Sequence, residues 1–307
     1  MNFIGEGAAL LAALSWTISG LVTEKKGKGF SPWALNFLTK VGGILGVSLM
    51  TLIINGRLIP QATGRQWLLL MMSGLLGFSL GDGFLFAAYQ NLGAKKAMLI
   101  YSANPIFAAL LGSIFLGEML TIKHVLGILL AVLGIMWVIQ ADMQNAKALD
   151  QGKNQAGQTK NLLLGVLFAV LATLGQVTGA IFSKASMADL DAYTAAQIRL
   201  VGGNLGMMIL LTFLRQWPTV PAVCKSRSGR LTIMASVILG TLIGMVMSMI
   251  AIKMTQVAVA SMLMSLMPVM ILPISAFFLK EKVTSREVYG ALLTLFGVIL
   301  LLLPIQI

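Results

Sequence analysis

Three charged side chains, Lys40, Asp82 and Arg199, lie inside long apolar stretches of this chain. Charged groups in such surroundings cost free energy unless they are paired or functional, so all three are candidate site residues. The helical rise puts Lys40 about 10 Å and Asp82 about 15 Å from the same membrane face, close enough for the lysine to reach the carboxylate. We interpret the two as a structural ion pair or as a carboxylate that carries a coupling proton beside a cation.

Arg199 differs from Lys40 because no acidic residue lies deep in the apolar stretches that follow residue 160. Asp189 and Asp191, in the loop before it, could be reached by snorkelling. Asp82 is a third partner, which the estimated depths disfavour. If Arg199 pairs with none of them, it is a positive site for a carboxylate or phosphate, which the planar guanidinium binds through two parallel hydrogen bonds.

Further polar and aromatic side chains in the apolar stretches could hydrogen-bond a solute. They are Trp16, Tyr89, Tyr101, Asn104, Gln176, Gln197, Asn204 and Ser265. Hydrogen bonding between helices explains any one of them equally well. Trp16 and Tyr101 also offer the aromatic surface that ligand pockets tend to use. We therefore treat these eight residues, with Arg199, as candidate substrate-binding residues.

The residues needed for catalysis or metal binding are missing from the sequence. His124 is the single histidine and Cys224 the single cysteine, so a His/Cys metal cluster is excluded. Intramembrane aspartyl proteases need Gly-x-Gly-Asp and a second membrane aspartate, whereas Asp82 follows Ser79-Leu80-Gly81 and has no such partner. We expect no catalytic residue, no metal and no cofactor, and hence no enzyme.

The composition requires a membrane environment for these side chains. Of 307 residues, 58% are hydrophobic and 10% are charged, and the mean hydropathy is +0.91; soluble domains carry about 25% charged residues. The apolar stretches have the length that crosses a bilayer. They predict an all-α polytopic membrane protein with ten transmembrane helices, near 4–23, 33–54, 67–91, 97–116, 122–140, 162–183, 193–214, 231–254, 258–279 and 286–304.

The second half of the chain repeats the first. FLGEMLT at 115–121 returns as FLKEKVT at 278–284, and Gly77, Gly81 and Pro105 return 163 residues later as Gly240, Gly244 and Pro268. VGGILG at 41–46 returns as VGGNLG at 201–206. We predict a first five-helix repeat at 1–140, a flexible hydrophilic linker at 141–160 and a second repeat at 161–307. Pro105 and Pro268 are predicted hinges, since a proline within a span frees a backbone carbonyl.

An odd number of spans per repeat inserts the second copy upside down, which is the inverted-repeat arrangement of many transporters. The net charge of +12 comes from Lys and Arg in short loops, fifteen on the side of Lys25 and the linker and five on the other. The excess predicts that the linker side is cytoplasmic and that both termini lie outside, in the cell (inner) membrane. Nucleic-acid binding has no motif to support it.

Glycine pairs spaced four residues apart occur in both copies: Gly42/Gly46, Gly77/Gly81, Gly202/Gly206 and Gly240/Gly244. Small residues at this spacing let membrane helices approach closely. The pairs therefore predict tight helix crossings, and thin contacts of this kind could also slide or rock.

The paired segments YQNLGAKKAMLIYSANPIFAALLGSIFLGEMLT (89–121) and IKMTQVAVASMLMSLMPVMILPISAFFLKEKVT (252–284) carry a family resemblance. In each, a proline stands ten residues before Phe-Leu-x-Glu. This arrangement resembles the drug/metabolite transporter superfamily, specifically its ten-span EamA-type members, over nearly the whole chain. The resemblance implies a secondary carrier of small organic solutes, often amino acids, working mostly outward. It also implies a central cavity lined by the first four helices of each repeat.

We expect an exporter of amino acids or related small metabolites that works by alternating access, with a small solute and the lipid bilayer as partners. A phosphorylated-solute or nucleotide-sugar exchanger is the first alternative, although it would need more membrane cations than Lys40 and Arg199. A cationic drug carrier would need an acid in the first span, where Ser15 and Trp16 stand. A non-transporting scaffold is the remaining alternative. The fused repeats make a working monomer reasonable.

Overall fold

The structure, a computed structural model, describes residues 4–101, 155–186, 190–254, 263–278 and 284–302, with isolated positions between 103 and 137. All of the regular elements in these ranges are helical. The helices are numbered here in chain order, and two π-helical segments are labelled π1 and π2. They are α1 (Ile4–Lys26), α2 (Pro32–Asn55), α3 (Gly64–Gly74), π1 (Leu75–Gly81), α4 (Asp82–Leu92), α5 (Ala94–Tyr101), α6 (Gln155–Lys184), α7 (Ala192–Phe213), α8 (Thr219–Lys225), α9 (Arg227–Ala235), π2 (Ser236–Met245), α10 (Val246–Met254), α11 (Met267–Phe278) and α12 (Ser285–Leu302).

Within the described part of the chain, six helices are long and apolar enough to cross a membrane. They are Ile4–Lys26, Pro32–Asn55, Gly64–Leu92, Asn161–Ser183, Ala192–Phe213 and Arg227–Ala251. These correspond to the first three predicted spans of each half of the chain, so the protein is a multi-pass membrane protein whose described elements are all helical. Of the other four predicted spans, 286–304 coincides with α12 over most of its length, 258–279 overlaps α11, and 97–116 begins within α5. The span 122–140 is described only at isolated positions.

Two boundaries differ from those predicted. The helix α6 begins at Gln155, so the last six residues of the segment predicted as a flexible linker are helical. Polar residues such as Gln155 and Lys160 form this first turn and a half, because intrahelical hydrogen bonds satisfy the backbone whatever the polarity of the side chains. The short helix α8 lies in a region that was predicted as a loop.

The third long helix of each half contains a π-helical segment instead of running as a continuous α-helix. The segment π1 follows α3 directly, and π2 follows α9 at the matching place in the second half. A π-turn widens the helix and shifts the backbone hydrogen bonds, and such turns frequently occur at functional sites. The glycines in these segments remove the side chains that would otherwise crowd the widened turns against their neighbours.

Each π segment packs against helices of the opposite half. The helices α6 and α7 contact π1, and α1 and α2 contact π2. The glycine pairs make these crossings close: a Cβ added at Gly46 would lie 2.6 Å from Leu242 in π2, and one added at Gly206 would overlap Ser79 in π1. Leu242 follows Ser79 by the same 163 residues as the other matched positions. The prediction that these glycines permit close helix contact is therefore confirmed.

Candidate functional site

The charged residues of α2 and α4 form an ion pair. Lys40 Nζ donates a hydrogen bond to Asp82 Oδ2, and the exposed fractions of the two side chains are 6% and 18%. The other oxygen, Asp82 Oδ1, accepts a hydrogen bond from Gln176 Nε2 of α6. Gln176 Nε2 also donates to the carbonyl of Gly77 in π1, at 2.9 Å. The carboxylate therefore joins helices from both halves of the chain.

The aromatic ring of Phe78 contacts two cations. Lys40 Nζ is 4.7 Å from the ring centroid, and Arg199 Cζ is 4.4 Å from it. Both distances are within the range of cation–π attraction. Phe78 is part of π1, and the two cations that contact its ring come from α2 and α7. Phe78 thus holds two positive charges close to a single carboxylate.

Arg199 is 4% exposed and has few partners. Its Nη1 is 3.8 Å from Met249 Sδ, a weak acceptor, and its Nε is buried without a hydrogen-bond partner. Arg199, Tyr89 and Tyr101 all lie close enough to Asp82 to interact with it electrostatically. A buried guanidinium with an unsatisfied N–H is the feature of this cluster that most calls for a ligand, because an unmet buried donor costs free energy.

The alternative partner Asp191 is occupied elsewhere. It caps the first turn of α7, where it accepts hydrogen bonds from Thr194 N at 2.8 Å and Thr194 Oγ1 at 2.7 Å. Asn55 Nδ2 approaches it at 3.4 Å. Burial raises the pKa of Asp191, but these hydrogen bonds outweigh burial and bring the pKa below its ordinary value. The expectation that Asp191 could neutralise Arg199 is therefore wrong, because local capping satisfies its carboxylate. Asp189 lies outside the described residues.

The two halves of the molecule also share a hydrogen bond in matched form. Gln176 stands 160 residues after Trp16, and Gly240 stands 163 residues after Gly77. Trp16 Nε1 donates to the carbonyl of Gly240 in π2 at 2.9 Å, as Gln176 Nε2 donates to Gly77 in π1. Each first long helix thus satisfies a carbonyl of the opposite π segment. The first contact involves indole, whereas the second is tied to the charge of Asp82.

Comparison with known proteins identifies the kind of molecule that contains this site. The model of the EamA-like transporter family matches residues 3–140 and 163–303. The chain belongs to the EamA-like transporter family. It is therefore a membrane transporter and not an enzyme, with a small solute and membrane lipid as its partners.

Relatives of this EamA-like transporter match about two thirds of the chain or more. An uncharacterized transporter of Archaeoglobus fulgidus is 26% identical over 298 residues, which cover 96% of this chain and 97% of the relative. The glucose uptake protein GlcU of Bacillus subtilis is 25% identical over 204 residues, 66% of each chain. One solved crystal structure superposes with a TM-score of 0.67 at 19% identity, covering 98% of this chain and 96% of the other, which shows a shared fold.

The other predicted binding residues of this transporter occupy varied positions. Gln197 Nε2 donates to Ser48 Oγ and to the carbonyl of Leu58, so it links α7 to α2 and to the following loop, although its Oε1 is buried without a partner. Asn204 Oδ1 is likewise buried without one. Tyr89 is buried in the core of α1, α4 and α6, whereas Tyr101 is partly buried beside it. Each of these contacts is also compatible with a role in helix packing.

The remaining predicted residues lie at or beyond the edge of the described part. Asn104 is partly exposed, and Ser265 is buried and interacts with a neighbour. Pro105 lies outside the described residues. Pro268 is the second residue of α11, two positions after a turn at Ser265 and Leu266, so the helix is interrupted next to it. The hinge role of both prolines stays a prediction.

Phe78 and Asn36 also belong to this cluster, although neither was predicted from the sequence. Asn36 lies one turn before Lys40 on α2, and its Nδ2 donates to the carbonyls of Phe78 at 2.7 Å and Ser79 at 3.3 Å. It thereby holds the π1 backbone whose side chain contacts both cations. The spacing of Asn36 and Lys40 on one helix face was a signal that could have found it. Phe78 gave no such signal, because its role depends on which helices cross.

Among the described residues, no group of three His, Cys, Asp or Glu side chains could hold a metal ion. Lys40 and Arg199 carry two positive charges, and Asp82 carries one negative charge. The predicted spans 97–116 and 258–279, which extend beyond the described residues, contain no charged residue.

Proposed function

We propose that this transporter exports amino acids or related small metabolites that carry a carboxylate, and that the carboxylate binds at Arg199. The observation that carries the proposal is the burial of Arg199 beside Phe78 with an unpartnered Nε. A carboxylate can accept two parallel hydrogen bonds from a guanidinium, which would satisfy this donor and neutralise the charge. We expect Lys40 and Asp82 to position the site, and Trp16, Tyr89, Tyr101, Asn104, Gln176, Gln197, Asn204 and Ser265 to supply its further lining.

The transport cycle we propose is alternating access between two inverted five-helix repeats, with ten spans in all. The matched contacts of Trp16 and Gln176 with opposite π segments support a pseudo-symmetric arrangement of this kind. Two sequence-related crossings on either side of a central site provide two equivalent gates, as in other carriers built from inverted repeats. In this proposal the linker is cytoplasmic, both termini lie outside and a monomer is sufficient.

A sugar carrier is the alternative raised by the relative named as a glucose uptake protein. A neutral sugar would leave the excess positive charge of the cluster without a counter-ion, so the carboxylate is favoured. A phosphate ester would fit the sign of the charge but would meet only two cations. A cationic solute is disfavoured because Lys40 already occupies Asp82.

The experiment is an untargeted analysis of the solutes released by cells that express the wild type, Arg199→Gln or Arg199→Lys at matched membrane abundance. We expect a carboxylated solute to accumulate outside wild-type cells. Arg199→Gln should reduce its release by roughly tenfold or more, since a hydrogen bond to a charged group is worth about 1.5–3 kcal/mol. Arg199→Lys should retain an intermediate rate, because it keeps the charge without the planar fork.

The control is Arg215→Gln, an exposed arginine outside the cluster, which should release as the wild type does. Release equal to that of empty-vector cells for every solute class would contradict export. Enhanced uptake of labelled glucose, unchanged by Arg199→Gln, would instead favour the sugar carrier.

A further inference from the structure

We propose that Lys40 determines the net charge of the solute that this transporter accepts, and that the wild-type site prefers solutes of net charge −1 over neutral zwitterions. The inference rests on the proposed function, in which a solute carboxylate binds at Arg199. It adds the substrate class, namely monocarboxylates without an ammonium group and amino acids with an acidic side chain. It also assigns Lys40 a role in specificity beyond the neutralisation of Asp82.

Both carboxylate oxygens of Asp82 already accept hydrogen bonds within the protein. Lys40 Nζ takes one carboxylate oxygen and Gln176 Nε2 takes the other. An amino acid with an uncharged side chain carries an ammonium group as well as a carboxylate. That ammonium would have to displace Lys40 from Asp82, the carboxylate of this cluster. The internal ammonium of Lys40 therefore stands where the solute's own ammonium would bind.

Lys40 and Arg199 lie near each other because both contact Phe78. Both cations contact the same ring, with Lys40 Nζ at 4.7 Å and Arg199 Cζ at 4.4 Å from the Phe78 centroid. A carboxylate bound at Arg199 would therefore also be attracted electrostatically by Lys40. The low exposure of both side chains weakens solvent screening, so unit differences in charge have large effects on binding.

The formal charge of the cluster formed by Lys40, Asp82 and Arg199 is +1. A solute of net charge −1 therefore brings the cluster to zero. A zwitterion leaves the cluster at +1, and a dianion takes it to −1. A charge left unbalanced in a desolvated site is disfavoured, and we expect discrimination of about tenfold or more between solutes that differ only in net charge.

The experiment measures flux in liposomes that contain the purified protein at pH 7. Two pairs of probes differ mainly in carrying a hydroxyl or an ammonium group: lactate with alanine, and 2-hydroxy-4-methylpentanoate with leucine. Malonate serves as the dianion. We expect the wild type to move each hydroxy acid about tenfold faster than the matching amino acid.

The variants change the charge of the cluster in steps. Lys40→Met lowers it to zero and should remove or reverse the preference for the hydroxy acids. Asp82→Asn raises it to +2 and should increase malonate flux relative to lactate. The double variant Lys40→Met/Asp82→Asn returns it to +1 and should regain the wild-type order. Lys28→Met, which removes an exposed lysine, should keep the wild-type order and is the matched control.

Different results contradict the role of Lys40 in charge selectivity and the proposed carboxylate site at Arg199. If the wild type moves carboxylates but every variant keeps its preference, Lys40 is only a structural partner of Asp82 and the charge rule is overturned. If the wild type moves none of the five probes, the carboxylate site itself is overturned, and the charge rule with it. Should Lys40→Met fail to fold, the malonate-to-lactate ratio of Asp82→Asn decides the question alone.

Discussion

The carboxylate of Asp82 is the most connected group of the candidate site. It accepts hydrogen bonds from Lys40 on one oxygen and from Gln176 on the other. Removing one member of a buried ion pair leaves an uncompensated charge, whereas removing both members together can be nearly neutral. The single variants therefore report how much the ion pair matters to folding, and the double variant allows solute selectivity to be measured in a protein of nearly wild-type stability.

At the residue scale we predict strong coupling between Lys40 and Asp82. Lys40→Met and Asp82→Asn should each lower the free energy of unfolding by roughly 3 kcal/mol, and the double variant should recover most of that loss. Thermal unfolding of the purified variants in detergent checks this. Strictly additive losses would show that the two side chains do not interact in the folded protein.

The first helices of the two halves meet the opposite π segments through unlike donors. Trp16 Nε1 donates a hydrogen bond to the carbonyl of Gly240. Gln176 Nε2 donates both to the carbonyl of Gly77 and to the carboxylate of Asp82. The two crossings are matched in sequence position but differ in chemistry. The crossing of α6 with π1 is connected to the charged cluster through Gln176. In the crossing of α1 with π2, the side chain of Trp16 donates to a backbone carbonyl.

At the element scale we predict different outcomes for Trp16→Phe and Gln176→Leu. Trp16→Phe keeps a ring and loses one N–H, so it should cost about 1 kcal/mol of stability. Gln176→Leu should cost stability and also lower the transport rate severalfold, because Asp82 loses a hydrogen-bond donor. Melting temperatures and initial rates, measured on the same preparations, separate the effects. Equal loss of rate in both variants would indicate that the two crossings act alike.

Within the described residues, glycines, π segments and inter-helix contacts recur at matched positions in the two halves of the molecule. The family match to residues 3–140 and 163–303 has the same two-part form. If the second part is inserted upside down, the loop between α7 and α9 lies on the same side as the Lys25 loop. That side holds the excess of Lys and Arg and is expected to be cytoplasmic.

At the scale of the molecule we predict that Cys224 is accessible only from the cytoplasm. It is exposed and is the single cysteine of the chain, so the wild type needs no engineering for labelling. A membrane-impermeant maleimide should label permeabilised cells but not intact ones. Cys224→Ser/Ile59→Cys, with its cysteine at an exposed site between α2 and α3, should give the opposite pattern. Labelling of wild-type Cys224 in intact cells would reverse the orientation.

The parts of this structure that depend on residue spacing along a helix could be predicted from the sequence. The first three spans of each repeat follow from apolar length, and the contact of Lys40 with Asp82 follows from their similar depths. The π segments were missed because a widened turn has no sequence pattern beyond its glycines. The contacts of Phe78 with Lys40 and Arg199 depend on which helices cross, and so does the hydrogen bond from Gln176 to Asp82. Helix crossings are set by packing that one sequence does not reveal.

The central claim is that a carboxylate crosses the membrane through this protein by binding at Arg199. The most direct test is efflux from liposomes that contain only the purified transporter and a defined mixture of carboxylates with their neutral amide analogues. Mass spectrometry then records which solutes leave. We predict that carboxylates leave faster than their amides with the wild type and that Arg199→Gln removes this difference. Equal efflux of carboxylates and amides with the wild type, or a carboxylate preference that survives Arg199→Gln, would contradict the claim.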